Sequence, residues 1–469
     1  MIVPKNRLLL WFGVVVLPFA LLAAVEPGAA IISFALIGAF VVAALMDAIG
    51  ARSGLAGISV ALPEISRMSK DREAKLELRV RNERQQQRTV RVALGLPREI
   101  QSPQEELEVS LPAESEWSRF SWTCLPLKRG SYRIDSAYLE ASSPFGFWSV
   151  RKTARVSSEI RVYPNLFTER RNLAALFLHR GAFGLHAQRQ VGKGREFEKL
   201  REYVPGDGYD EIHWKATARR GRPITKVFQI ERTQEVYVVI DASRLSARSV
   251  EAGKENSVIS NQYSVGRPDA PSLNVEHRLL TTSTLERFVT AALVLGLAAE
   301  QQGDLFGLLT FTNKVEKFIR AKNGKAHYSV CRDALYTLQP QTVSPDFDEL
   351  CTFIRLRLRR RALLVFLTSL DDPVLAGSFV KNLDLIRRQH LVLVNMLQPS
   401  GVSEVFSDPN IATMDELYQH LGGHLLWHNL RELEKVLQRR GVKFSLLRNE
   451  KLSVELVSQY LGVKRRQLL

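Results

Sequence analysis

The chain has 469 residues, a net charge of +16 and 45% hydrophobic side chains. That length admits two or three domains with separate cores, and the apolar share excludes a disordered or low-complexity chain. The positive balance suits an anionic partner, either nucleic acid or the inner face of a membrane. Three cysteines, Cys124, Cys331 and Cys351, are too few and too scattered for a disulfide framework, and they lack the close pairs of a structural zinc site. They read as small buried hydrophobes in a reducing compartment.

The first fifty residues speak most clearly. Leu8 to Val25 carries no charge, and after Glu26-Pro-Gly a second charge-free run extends from Ala29 to Met46. Each is about the minimum for crossing hydrocarbon at roughly 1.5 Å per residue. Lys5 and Arg7 would also suit the charged start of a signal peptide, but the run is long for one and a second follows at once. Residues 1–52 are therefore expected to form a transmembrane helical hairpin. Lys5 and Arg7 precede it, and Arg52, Arg67, Lys70 and Arg72 follow it. The positive-inside bias places the N-terminus and the bulk of the chain in the cytoplasm, on a two-span anchor.

From 58 to 163 the pattern changes to period two. Ala74–Asn82, Arg88–Leu96, Glu106–Leu111, Ser118–Leu127 and Glu159–Asn165 alternate polar with apolar residues between turn signals. This predicts an all-β sandwich-like domain. Lys128 to Trp148 reads as a turn, two strands and a Pro-Phe-Gly turn, with Phe145, Phe147 and Trp148 as packing residues. Residues 164–234 read as a linker carrying a charged segment, with 165–200 polar and partly helical. Its glycines lack the spacing of a phosphate loop.

Residues 235–450 alternate strand and helix. Apolar strands are expected at Glu235–Ile240, Leu305–Phe311, Ala362–Thr368 and His390–Leu397, with a short one at Val315–Ile319 and another at Val442–Leu447. Helices are expected at Leu285–Gln302, Lys325–Leu338, Asp346–Arg357, Val374–Arg388 and Met414–Arg439. Strands apolar at nearly every position need both faces covered, so this is a doubly wound α/β domain. Its ligand crevice lies beyond the carboxyl ends of the strands. Asp241, Ser243, Ser369, Asp371 and Asp372 stand there as candidate rim residues. A long polar loop, 246–284, adjoins them, and residues 451–469 form a last helix and a basic tail.

Asp241-Ala-Ser243 at the end of a first central strand is a pattern that can hold Mg²⁺ through oxygen ligands. In this the domain resembles the von Willebrand factor A fold, whose metal motif is Asp-x-Ser-x-Ser with a distant Thr and Asp. Here Leu245 replaces the second Ser, no Thr lies between Phe318 and Tyr336, and Ser369 stands where the later Asp is expected. Asp241, Ser243 and Asp371 remain the candidate metal ligands, and a crevice without metal is the reading preferred.

A second resemblance is sharper. Arg201-Glu-Tyr203-Val-Pro205-Gly206-Asp207, followed by Ile212-His213-Trp214-Lys215 and Arg219, resembles the signature of the DUF58 family. His213 stands where that family has Asp, and an acidic residue where it has Arg. Gly303 to Val315 is similar to the same family's Gly-Asp-x-x-Gly-Leu strand. The resemblance implies a bacterial membrane protein with no established catalysis, associated with MoxR-type AAA+ ATPases in assembly or activation of other proteins. No cofactor is expected beyond the candidate Mg²⁺.

The charged segment itself admits three readings. His213 could act as a base oriented by Asp207, but no nucleophile is spaced to join them, which argues against a hydrolase. Val204 to Asp207 reads as a turn, with Trp214 anchoring the segment and Arg219 and Arg220 pairing with carboxylates as a clamp between domains. The clamp is the reading preferred, and direct contact with a protein partner is the next. The basic runs at 357–361, 439–440 and 464–466 show neither a continuous face nor interleaved aromatics, so nucleic-acid binding is not expected.

Overall fold

The computed structural model describes all residues except 168, 172–173, 175–190, 206–207, 230–233, 251–281, 403–413 and 467–469. It divides into two compact units, Met1–Asn165 and Leu166–Leu469.

The first unit begins with a short strand, β1 (Ile2–Pro4), and two apolar helices, α1 (Asn6–Val25) and α2 (Ala30–Ala51). Both are long and apolar enough to cross a membrane, and their apolar stretches are almost wholly exposed. Between Phe12 and Val16 the first helix widens to a π turn. Pro18 follows at once; it lacks an N–H and its ring crowds the carbonyl four residues back, which a widened turn relieves.

Nine strands follow. They are β2 (Ile58–Ala61), β3 (Ile65–Ser69), β4 (Ala74–Asn82), β5 (Arg88–Leu94), β6 (Ile100–Gln101), β7 (Leu107–Leu111), β8 (Trp117–Pro126), β9 (Gly130–Ser142) and β10 (Trp148–Tyr163). One sheet runs β1-β10-β9-β5-β7 with β3 beside β10, and the other runs β2-β4-β8-β6. Alternate residues, among them Leu76, Leu78, Trp122, Val90, Leu139 and Ile160, meet in one core between the sheets. Burial of each such side chain contributes roughly 1.5–3 kcal/mol. Where two strands are expected within 130–142 there is a single one: its buried positions step from Ile134 to Ala137 across Asp135 and Ser136, opposite a bulge in β10 between Arg155 and Ser158, and the ladder runs on through the irregularity. The pairing of β1 with Trp148–Val150 brings the segment before the first apolar helix into the sheet that follows the second.

The second unit opens with a ribbon. The strand β11 (Val191–Glu202) pairs antiparallel with β12 (Ile224–Gln229), and the short helix α3 (Trp214–Arg220) lies between them. The expectation of a helical linker up to residue 200 is thus corrected over 191–200, where polar residues form an extended two-stranded pair.

The main sheet follows: β13 (Glu235–Asp241), β16 (Leu305–Phe311), β17 (Val315–Lys322), β18 (Leu363–Leu367), β19 (Leu391–Leu397) and β20 (Lys443–Leu447). A two-residue pair, β14 (Ser249–Val250) and β15 (Thr282–Ser283), closes the base of the 246–284 segment, of which 251–281 lie outside the described residues. The order in the main sheet is β17-β16-β13-β18-β19-β20, parallel throughout except for β17 at the edge. The helices are α4 (Thr284–Gln301), α5 (Lys325–Leu335), α6 (Phe347–Arg357), α7 (Pro373–Leu383), α8 (Met414–Arg439) and α9 (Leu452–Arg466). Val236, Val238 and Ile240 share a core with α4, α5 and α9, while Tyr237 and Val239 share another with α6, α7 and α8. Consecutive residues of β13 therefore serve opposite faces, which is why the strand is apolar at every position but its ends.

Two local features fit the chain to this sheet. At Gly307 an added Cβ would lie 2.3 Å from the Tyr237 ring, and the Tyr237 hydroxyl accepts the Ala321 N–H at 3.1 Å. The glycine of the Gly303–Val315 motif thus leaves room for a tyrosine crossing from the neighbouring strand. Asp304 of the same motif is buried and accepts hydrogen bonds from Tyr460 and from Lys464 Nζ, the latter at 2.8 Å. Through these contacts the last helix is part of the core, not a detached tail.

Candidate functional site

The first strand of the main sheet, β13, is central, and the order reverses beside it: β16 lies on one side and β18 on the other. Asp241 ends β13 and so stands at the switch point, where open α/β sheets leave a crevice. Its carboxylate is fully buried. Oδ1 accepts the Ser243 N–H at 2.8 Å and Oδ2 accepts the Thr368 hydroxyl at 2.6 Å. Burial raises the Asp241 pKa above its ordinary value, and the Thr368 and Ser243 hydrogen bonds oppose that only in part.

Asp241 and Ser243 were expected at the rim but lie beneath it. Ser243 is buried, and its hydroxyl oxygen accepts the Leu245 N–H at 3.4 Å. These bonds turn the chain out of the strand into a short 3-10 segment, Arg244–Ala247. Ser369 is also buried. Asp371 is paired with Arg248. Asp372 caps α7, accepting the Val374 N–H at 2.9 Å, so it belongs to the helix start.

The loop before α6 completes the crevice. The Gln341 N–H donates to the Ala242 carbonyl at 2.8 Å, and the Arg244 N–H to the Val343 carbonyl at 2.9 Å. Thr342, which is exposed, is held between these two bonds beside Ser243. Sequence spacing sought a threonine upstream, between 318 and 336. The loop's aperiodic composition offered no signal for this position, because only the two long-range backbone bonds place it.

A hard cation such as Mg²⁺ needs several free oxygen ligands. Here both Asp241 oxygens and the Ser243 hydroxyl are engaged by their own chain, and Arg248 already supplies positive charge to Asp371. Among the described residues no group of three or more His, Cys, Asp and Glu converges. As arranged, the candidates do not fit a metal cage.

The cysteines are equally closed. All three are buried, and burial pushes the Cys124 thiol up to about 11 and Cys331 and Cys351 up to about 12. They are held as neutral thiols.

The charged segment forms a different kind of surface. His213 caps α3, its Nδ1 accepting the Ala216 N–H at 3.0 Å, while its backbone N–H donates to the Ile224 carbonyl at 2.8 Å. A ring nitrogen committed to a helix end is not a free base. Gly206 and Asp207 lie outside the described residues. Arg201 and Tyr203 belong to the ribbon, where the Tyr203 N–H donates to the Pro223 carbonyl at 3.1 Å. Pro205, Lys215 and Arg219 are exposed. Trp214, expected to anchor the segment, is 68% exposed, and Tyr209 is 78% exposed. Helix α3 is only two turns long, and its small face is taken up by the ribbon. Its first residue is thereby left in solvent.

Comparison with known proteins adds a family and little more. A family model described as "Protein of unknown function DUF58" matches residues 199–266 and 274–403, which take in the charged segment and five strands of the main sheet. No curated protein matches the chain. Among solved structures, an aerotolerance-related membrane protein from Bacteroides fragilis is 12% identical, with 48% of this chain and 97% of that one covered and a TM-score of 0.28. The conserved hypothetical protein BatB from Bacteroides thetaiotaomicron is also 12% identical, with 50% and 99% covered and a TM-score of 0.29. Proximal thread matrix protein 1 from the mussel byssus is 11% identical, with 48% and 44% covered and a TM-score of 0.22. At TM-scores this low the likenesses settle neither fold nor activity.

Proposed function

Residues 199–266 and 274–403 match the DUF58 family model, and from that premise we propose that the chain is a membrane-anchored protein-interaction module. Its partner in this reading is a MoxR-type AAA+ ATPase, with which it serves the assembly or activation of other proteins. The observation that carries the reading is the exposed pair Tyr209 and Trp214 on the charged ribbon. Exposed Lys215, Arg219 and Arg220 lie on the same short helix as Trp214, and Leu200 and Val204 are exposed on and beside β11. Aromatic residues with arginine are the side chains that dominate binding energy at protein interfaces. An indole left in water has no role in packing the unit that bears it.

The finer fold reading belongs to this proposal. The β17-β16-β13-β18-β19-β20 order, the antiparallel edge strand and the Asp-x-Ser at the switch point support a von Willebrand factor A-like unit. In such a unit the Asp241 network shapes a rim for a protein and performs no reaction. Catalysis has little support, since His213 serves a helix cap.

The anchor is read as a two-span hairpin in a bacterial cytoplasmic membrane. Two exposed apolar helices of 20 and 22 residues are untenable in water. The pairing of β1 with β10 supports both ends of the hairpin lying on one side, and the flanking Lys5, Arg7 and Arg52 support that side being cytoplasmic.

A photo-crosslinking amino acid in place of Trp214, in the full-length protein in its native membrane, tests the interaction directly. The expected adduct is with a MoxR-type ATPase. Adducts with other proteins alone, or none, would contradict the assignment.

A further inference from the structure

The turn from Ser143 to Trp148 joins β9 to β10 and is held against α2 by a single buried carboxylate. Asp47 Oδ2 accepts the Ser143 hydroxyl at 2.5 Å and the Phe147 N–H at 3.1 Å, while Oδ1 accepts the Phe145 N–H at 2.9 Å. The Trp148 indole N–H donates to the Ala44 carbonyl at 2.8 Å. These bonds fix the height of the turn along the helix. Asp47 is the first charge after the apolar run Ala29–Met46, and the Phe147 ring packs edge-on against Phe40 at 5.9 Å. Phe40 lies roughly 10 Å farther into the apolar run than Asp47, at about 1.5 Å per residue.

The turn also satisfies a condition that loops rarely meet. Backbone N–H groups cannot face hydrocarbon unpaired. Here the Ser143 N–H donates to the Trp148 carbonyl, Gly146 to the Ser143 carbonyl, Trp148 to the Ser143 hydroxyl, and Phe145 and Phe147 to Asp47. Pro144 has no N–H. Every donor in the turn is therefore paired within the protein. At the tip Pro144 is exposed and Phe145 is 64% exposed.

We propose that this turn is a second lipid contact, in which Pro144 and Phe145 enter the headgroup and upper acyl region beside the two apolar helices. The inference rests on the membrane reading of those helices. Lipid is the occupant because the exposed Phe145 ring lies against Phe147, whose ring in turn packs on Phe40 within the apolar run of α2. The flanks of the turn carry the cations expected at headgroup level: Lys5 bonds the Ser142 hydroxyl, and the Arg7 guanidinium lies beside Gly146. The β unit is thereby seated on the bilayer by its own loop as well as by the hairpin.

The test uses the full-length protein in nanodiscs of phosphatidylcholine and phosphatidylglycerol, with an environment-sensitive thiol label at Phe145→Cys. Leu21→Cys in the first apolar helix and Glu105→Cys on the β unit provide the lipid and water references, and the unsubstituted chain gives the background from its buried cysteines. The label at 145 should be quenched by brominated acyl chains nearly as strongly as that at 21, and should resist aqueous iodide. Iodide quenching equal to that at 105 would overturn the inference while the label at 21 keeps the membrane reading intact. A label shielded from both quenchers would show a protein cover and would also overturn it. If the label at 21 itself reports water, the membrane reading falls and this inference with it. Should Phe145→Cys misfold, Pro144→Cys is read in the same way.

Discussion

At Asp241, burial and hydrogen bonding pull the carboxyl in opposite directions, and burial is the larger effect. Its pKa in the folded chain lies above the ordinary value of 3.8, so the folded state favours the neutral acid. The stability that this preference contributes is fully present below the ordinary value and is lost as pH rises through the folded value. Asp241→Asn cannot ionise. Its amide can donate to the Thr368 oxygen while its carbonyl keeps the Ser243 N–H. The variant should therefore gain in thermal midpoint relative to the parent as pH rises from 4, measured for the full chain in detergent. A difference independent of pH would contradict the assignment of a carboxyl strained by burial. A steric constraint of the same scale sits at Gly307, where a methyl would enter the Tyr237 ring. Gly307→Ala should destabilise by about 1–3 kcal/mol, read from denaturant midpoints, and Tyr237→Leu should partly relieve the loss. Asp241 was legible in the sequence as a strand-end acid. That it lies beneath the rim was not, because its partner Thr368 is 127 residues away.

Among the elements, the strands of the main sheet were the most readable, since helix-separated apolar runs admit one arrangement. The expected bounds 305–311 and 414–439 coincide with those of β16 and α8. The ribbon was missed because β11 is polar and its pairing partner is separated from it by a turn and a helix. The last helix was read as peripheral because its basic end hides an apolar face: Leu456, Val457 and Tyr460 are buried in the sheet's core. Its attachment can be tested at the Asp304 network. Asp304→Ala removes the carboxylate that Lys464, the Tyr460 hydroxyl and the Gln234 N–H share, leaving Lys464 only the Gln302 carbonyl, and should cost about 2–4 kcal/mol, whereas Tyr460→Phe removes one hydrogen bond and should cost about 1 kcal/mol. Limited proteolysis should release the C-terminal segment from the first variant well before the second. Equal resistance in both would show that the network does not hold the helix.

For the whole molecule, the account joins an apolar anchor, a β unit tied to it by Asp47, and an α/β unit whose ribbon presents aromatic residues to solvent. Charge alone did not choose between lipid and nucleic acid as the anionic partner. The exposed apolar helices favour lipid, and a balance of +16 suits the membrane surface in that reading. The charged segment's composition reads as a clamp in preference to a contact surface, although both use tryptophan and arginine. The exposure of Trp214 favours contact. The most direct measurement is the equilibrium affinity of a purified MoxR-type ATPase for the full-length protein in lipid nanodiscs, compared with the Tyr209→Ala, Trp214→Ala double variant. The account predicts saturable binding that weakens about tenfold or more in the double variant, as for loss of interface hot spots, with the thermal midpoint unchanged. Equal affinity for both proteins, or no binding to either, would contradict it.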